Sequence, residues 1–139
     1  MKSYREILKN KIIKTSIYDK LNVALLSDQS TQFLSKVIHG LGIENSLSIS
    51  VWEAPINQIE QQIYNPGSKF NSESFDSILI FESTHSLLKK FSLTQEKNDF
   101  AEIQIDRIKA YLNHIRDTSN KKVILFNFYE INDYILINL

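Results

Sequence analysis

The 139-residue sequence has no cysteine, which excludes disulfides, thiolate metal sites and cysteine nucleophiles and makes a reducing cytoplasm the expected setting. Three glycines and two prolines leave little material for a glycine-rich phosphate loop or a flexible linker. An excess of one charge is missing too. Sixteen basic residues balance sixteen acidic ones, so neither nucleic acid nor an anionic membrane is implied as a partner. No long apolar run follows the mixed-charge opening Met1-Lys2-Ser3-Tyr4-Arg5-Glu6, so neither a signal peptide nor a spanning helix is expected.

What is present is the material of a core. A hydrophobic fraction of 42%, with eight Phe and six Tyr, suits one folded domain over residues 1–139. Residues 1–18 place Tyr4, Ile7, Leu8 and Ile12 at helical spacing, predicting an amphipathic lead-in helix. The core then runs from residue 19 onward. Asn22 to Ser27 is a strand with no room for a solvated face, followed by a helix carrying Phe33, Leu34, Val37, Ile38 and Leu41, capped by Asp28 or Ser30 and ended by Gly40 and Gly42.

Leu47 to Trp52 alternates with period two, as an edge or near-edge strand does. Asn57 and Glu60 stand at capping-box spacing before a short helix to Tyr64, and Asn65-Pro66-Gly67 makes a turn in which glycine can take positive φ. Asp76 to Phe81 is a continuous apolar run, the pattern of a strand buried on both faces. A helical turn with Leu87, Leu88 and Phe91 follows, then a long helix from about Leu93 to Thr118 with Ser92 and Gln95 as its capping box. Lys121 to Phe128 supplies a fourth strand. Alternating β and α implies an α/β fold: a three-layer, flavodoxin-like, mostly parallel sheet of order 2-1-3-4 with helices on both faces. Ligand sites in such sheets lie at the carboxyl ends of the strands, here the first and third. The closing stretch Tyr134 to Leu139 is apolar with no helix after it. Either it adds to the sheet edge or further structure belongs beyond it, and exposed apolar surface there favours self-association.

Three histidines bound the chemistry. Ser27 or Ser30 could act as a nucleophile and Asp28 as an acid, base or metal ligand, although helix capping accounts for Asp28 and Ser30 equally well. His39 and His114 fall in helices. His85 alone lies at the carboxyl edge, so a relay from Ser27 or Ser30 to His85 with Glu82 as orienter is conceivable, while Ser83 or Thr84 can simply cap the next helix. No pair of histidines has metal-binding spacing, and neither a metal nor a cofactor is expected. The polar set Asn57, Gln58, Glu60, Gln61 and Gln62 is a pocket lining or a solvated face, and Trp52 and Phe70 suit core or lid packing better than stacking platforms.

Four stretches carry a resemblance. They are Leu21 to Asp28 with Thr31-Gln32-Phe33-Leu34; Glu53-Ala54 with Asn57-Gln58-Ile59 and Gln61-Gln62-Ile63; Asp76 to Phe81; and Val123 to Phe128 with Glu130-Ile131-Asn132-Asp133. Together they resemble the N-terminal domain of FkbH-like proteins, the subfamily IIIC haloacid-dehalogenase-superfamily proteins of polyketide and surface-polysaccharide gene clusters. The resemblance implies an SGNH-hydrolase-like fold placed before a phosphatase-like catalytic domain, in proteins whose known members load a glyceryl group from a glycolytic phosphate ester onto an acyl carrier protein. Two departures matter. No aspartate here is followed two residues later by another, so that catalytic motif is absent. Where SGNH hydrolases read Gly-Asp-Ser, this chain reads Ser27-Asp28-Gln29, and their Asp-x-x-His motif is missing. The family continues past Asn132-Asp133, so the chain looks truncated relative to it.

The expectation is an accessory domain, non-catalytic in isolation, that positions substrate or an acyl carrier protein for a C-terminal haloacid-dehalogenase-type catalytic domain. Its binding edge would be Ser27, Asp28, Gln29, Thr31, Glu53, Asn57, Glu82, Ser83 and Asn127. The alternatives are a small esterase using Ser27 or Ser30 with His85, and a structural domain that forms homo-oligomers through residues 134–139.

Overall fold

Strand and helix alternate along the chain because apolar runs with period two or none give way to stretches with period 3.6. The computed structural model describes residues 6–7, 18–95, 97–119 and 121–130. In chain order these form β1 (Asp19–Ser27), α1 (Gln32–Glu44), β2 (Leu47–Glu53), α2 (Ile59–Tyr64), α3 (Lys69–Ser72), β3 (Ser77–Phe81), α4 (Thr84–Leu93), α5 (Phe100–Thr118) and β4 (Lys122–Leu125). The described strand pairs are all parallel, as the alternation implies, and the order is β2-β1-β3-β4, the simplest one expected.

β1 is central, with Val23 opposite Val51 on one side and Ser77 on the other. Alternate residues therefore enter two different cores. Ala24 and Leu26 join Ile78, Ile80, Ile63, Phe70, Phe75, Tyr111 and Ile115 beneath α2, α3 and α5. Val23 and Leu25 join Leu79, with Leu34, Ile38, Ile49 and Val51 packed around them on the α1 side. Each leucine buried this way contributes about 1.5–3 kcal/mol, which is why no position from Val23 to Ser27 can be polar and solvated. Trp52 stacks on Phe75 at 5.3 Å, and Phe70 is buried, so both aromatics serve packing.

Several local expectations are corrected. Gly40 and Gly42 do not end α1; they lie inside it, buried, because Ile7 and the Leu47–Ile49 segment approach too closely for a side chain. Neither Asp28 nor Ser30 caps α1. Thr31 precedes it without a side-chain cap bond, its hydroxyl being spent on Glu53. Asn57 and Glu60 form no capping box: α2 is preceded by Gln58, and Asn57 turns the chain with φ 61°. No described glycine has positive φ, and the Asn65 turn closes instead through its side chain, whose Oδ1 accepts from Gly67 N at 3.0 Å. The long helix begins at Phe100, not Leu93. Thr94, Asn98 and Asp99 favour local turns over helix, and the hydroxyl of Ser92 donates back to Lys89 O within α4. β4 is shorter than expected because its partner β3 ends at Phe81; Phe126 N still donates to Ile80 O, after which β3 offers no more ladder.

Of the lead-in segment 1–18 only Glu6, Ile7 and Tyr18 are described, the first two helical; the rest of it and the tail 134–139 lie outside the described residues. Among the described residues no helix is long and apolar enough to cross a membrane.

Candidate functional site

The carboxyl ends of β1 and β3 are tied to each other. Asp28, one residue past β1, accepts the backbone N–H of Ser83 on both carboxylate oxygens at 3.0 Å. Ser83 Oγ in turn accepts from Ser86 N at 3.1 Å and caps α4. The loop after β2 folds back over the same edge, with Asn57 N donating to Ser27 O at 3.1 Å. These bonds fix three strand ends around one cleft.

The floor of the cleft is the carboxylate of Glu82, only 5% exposed. An isolated charge could not be held there, since burial of an unpaired ion costs several kcal/mol or more on the order-of-magnitude scale for such groups. α5 supplies the partners: Tyr111 donates its hydroxyl to Oε1 at 2.8 Å, and Arg107 Nη2 pairs with Oε2 at 2.5 Å. Arg107 Nη1 also donates to Glu60 Oε1 at 2.9 Å, and its Nε to Gln104 Oε1 at 3.1 Å. One guanidinium thus links β3, α2 and α5. Burial works against the charge of Arg107, but the bonds to Glu82 and Glu60 outweigh it and its pKa rises. Burial, reinforced by the negative Glu82, pushes the Tyr111 phenol well above the usual tyrosine range.

The cleft has a volume of about 240 Å³ and is lined by Asp28, Asn57, Glu60, Gln61, Glu82, Lys90 and Arg107 over Ile59. A second depression of about 230 Å³ lies across Ser30, Thr31, Gln32, Glu53, Pro55 and Ile56. There Thr31 Oγ1 donates to Glu53 Oε2 at 2.7 Å. A larger hollow, about 360 Å³, runs beside β2 near His39 and Ser48, away from the strand ends. The first cleft is the better candidate because it gathers five ionisable groups where the topology opens the sheet.

Of the nine residues placed at the edge from sequence, Asp28, Asn57 and Glu82 line this cleft. Ser83 is buried behind Asp28, and Thr31 and Glu53 line the neighbouring depression. Ser27 is buried, its Oγ accepting from Gln29 N at 3.1 Å. Gln29 is exposed, and Asn127, also exposed, accepts its own neighbour's N–H from Phe128. Neither lines any of these three cavities. Of the polar set Asn57, Gln58, Glu60, Gln61 and Gln62, the first, third and fourth line the cleft, and Gln58 and Gln62 do not. Arg107, Tyr111 and Lys90 were missed. Arg107 stands four residues before Tyr111 on the stripe that leads to Ile115, and a cation on an apolar stripe is the signal that marks it.

The residues of the conceivable relay point to other partners. His85 Nε2 lies 2.6 Å from Tyr129 OH, and Glu82 is engaged by Arg107 and Tyr111. Ser30 is exposed in the second depression. Among the described residues no three His, Asp or Glu side chains converge as a metal ion would need.

A family model described as "FkbH, N-terminal domain" matches residues 22–139. Among solved structures, the chain is similar to the crystal structure of the N-terminal part of the protein BF1531 from Bacteroides fragilis, containing a phosphatase domain, complexed with Mg. The TM-score is 0.86 with 35% sequence identity, and the match covers 97% of this chain and 35% of that one. The chain therefore corresponds to little more than a third of the length of that solved relative. No curated protein matches the chain.

Proposed function

The chain belongs to the FkbH N-terminal domain family, and on that premise we propose that it is an accessory domain, non-catalytic by itself, whose carboxyl edge positions a substrate or an acyl carrier protein for a haloacid-dehalogenase-type catalytic domain. The observation that carries this reading is the cleft at that edge. Its charged groups are tied into a fixed frame by Glu82, Arg107 and Glu60, and its rim offers amides and an ammonium group with no partner among the described residues. A frame of that kind orients a ligand.

The absence of a nucleophile–base–orienter chain among the described residues supports the non-catalytic half of the proposal. Ser27 Oγ serves a backbone N–H, His85 faces Tyr129, and both carboxylate oxygens of Glu82 are engaged by Tyr111 and Arg107. The similar Bacteroides fragilis protein, with its phosphatase domain, exemplifies the catalytic partner such a domain would serve.

Titration of the isotope-labelled chain with an acyl carrier protein is expected to shift the amide signals of Asp28, Asn57, Glu82 and Ser83. Shifts confined to the opposite edge, at Leu47, Ser77 and Lys122, would overturn the assignment. An activated ester should give no burst; a burst abolished by Ser27→Ala or Ser30→Ala would establish an esterase instead.

A further inference from the structure

We propose that the cleft beneath Lys90 binds a small zwitterion of the α-amino-acid class, its ammonium group toward the acidic floor and its carboxylate toward the rim. The inference rests on the reading of the carboxyl edge as a binding site and adds the chemistry of the ligand.

The sign of the free charge changes from floor to mouth. Arg107 is already shared between Glu82, at 2.5 Å, and Glu60, at 2.9 Å, so these three groups together present one net negative charge. Asp28 adds a second. Its carboxylate accepts from Ser83 N and, at 3.5 Å, from Ser83 Oγ, and makes no ion pair among the described residues. Lys90 is the one lining cation with no carboxylate partner among the described residues, and it is exposed at the mouth. A phosphate dianion entering here meets one free cation and an excess of carboxylates, and is disfavoured. A cation alone leaves Lys90 unmatched, and a carboxylate alone leaves Asp28 unmatched. A molecule carrying both, one at each end, gives Asp28 and Lys90 each a partner of opposite sign.

The remaining polar groups suit the same ligand. The amides of Asn57 and Gln61 have no hydrogen-bond partner among the described residues and can donate to a carboxylate or accept from an ammonium group. Asn57 is delivered to the cleft by a left-handed backbone, φ 61°, held by its N–H bond to Ser27 O. About 240 Å³ accommodates an amino acid of ordinary size, and Ile59 gives its side chain an apolar contact.

The test is a titration of the 139-residue chain with alanine and serine, with propionate and ethylamine as the single-charge analogues, and with inorganic phosphate. Removing either charge-assisted hydrogen bond is expected to weaken binding about tenfold. The amino acids should therefore saturate at concentrations where neither analogue does, with shifts at Asn57, Gln61, Ser83 and Lys90. Lys90→Gln should bring serine down to the affinity of the amine alone while leaving the fold intact, and Asp28→Asn, which keeps an acceptor for Ser83 N, should bring it to that of the carboxylate. Phosphate or propionate binding as well as the amino acids, or no saturation by any of them, overturns the proposal. If a carrier protein still shifts the carboxyl edge in that case, only the ligand class has failed.

Discussion

Glu82 and Arg107 form a 2.5 Å ion pair between the end of β3 and the face of α5, with side-chain exposures of 5% and 22%. The pair is what allows a carboxylate to sit at the floor of a sheet-end cleft, and it fixes the distance between α5 and the sheet at that level.

Arg107→Met removes the only cation in contact with Glu82 among the described residues. The expected loss is about 3 kcal/mol, the low end for a broken buried pair because the guanidinium is partly exposed, read as a lower midpoint in urea. Glu82→Gln in the Arg107→Met background should recover part of that loss, since the uncompensated charge is then gone. Simple additivity of the two changes would show that the pair is not coupled.

Tyr111→Phe leaves one oxygen of Glu82 without its donor and should cost about 1–3 kcal/mol at neutral pH. It should also change the alkaline limb. The folded state keeps the Tyr111 proton to higher pH than the unfolded chain, whose tyrosines titrate near about 10. Above that pH the folded form binds more protons, so stability from this group is full below about pH 10 and declines as pH rises, by up to about 1.4 kcal/mol per pH unit. Stability measured from pH 8 to 11 should therefore fall less steeply for the variant. Parallel curves would show that the phenol is not held protonated by the fold.

Gly42→Ala should destabilise even though alanine is the better helix former by about 1 kcal/mol. A Cβ there would lie 2.7 Å from Ile49 Cγ1 and 3.1 Å from Leu47 O, pushing α1 off β2. Overpacking of this kind costs about 1–3 kcal/mol, so the melting temperature is expected to drop; a rise would mean that the helix–strand contact is looser than described.

Asn57→Gly keeps the left-handed turn and removes the amide. Thermal stability should hold within about 0.5 kcal/mol, while binding at the cleft weakens. Asn57→Val, by contrast, must force a β-branched residue to φ 61° and should lose about 1–2 kcal/mol. Equal stability of the two variants would remove the case for a strained turn.

The fold was legible in the sequence where burial dictates residue type over a short range. Val23 to Leu26 and Ile78 to Phe81 are apolar without interruption because both faces of β1 and β3 are covered, and their alternation with helices implies a parallel sheet, for which 2-1-3-4 is the simplest order. The edge residues Asp28, Asn57 and Glu82 could be placed for the same reason. The rest depends on partners distant in the chain. Arg107 meets Glu82 across 25 residues and Glu60 across 47, and no local spacing announces such a contact. Gly40 and Gly42 looked like a helix end because their reason for being small lies in Ile7 and Ile49, not in the helix itself. Asp28 looked like a cap because capping is what aspartate does after a strand, whereas its true donor, Ser83 N, arrives from 55 residues away.

The bifurcated hydrogen bond from Ser83 N to Asp28 also bears on kinetics. Asp28 and Glu82 hang from strand ends locked to each other, while Gln61 and Lys90 reach the cleft as exposed side chains of helices. On the proposed reading, a ligand arriving at this edge would find its inner contacts already in place and would have only rotamers to adjust at the outer ones. Association would then need no backbone rearrangement, and differences in affinity between ligands would lie chiefly in how long each stays.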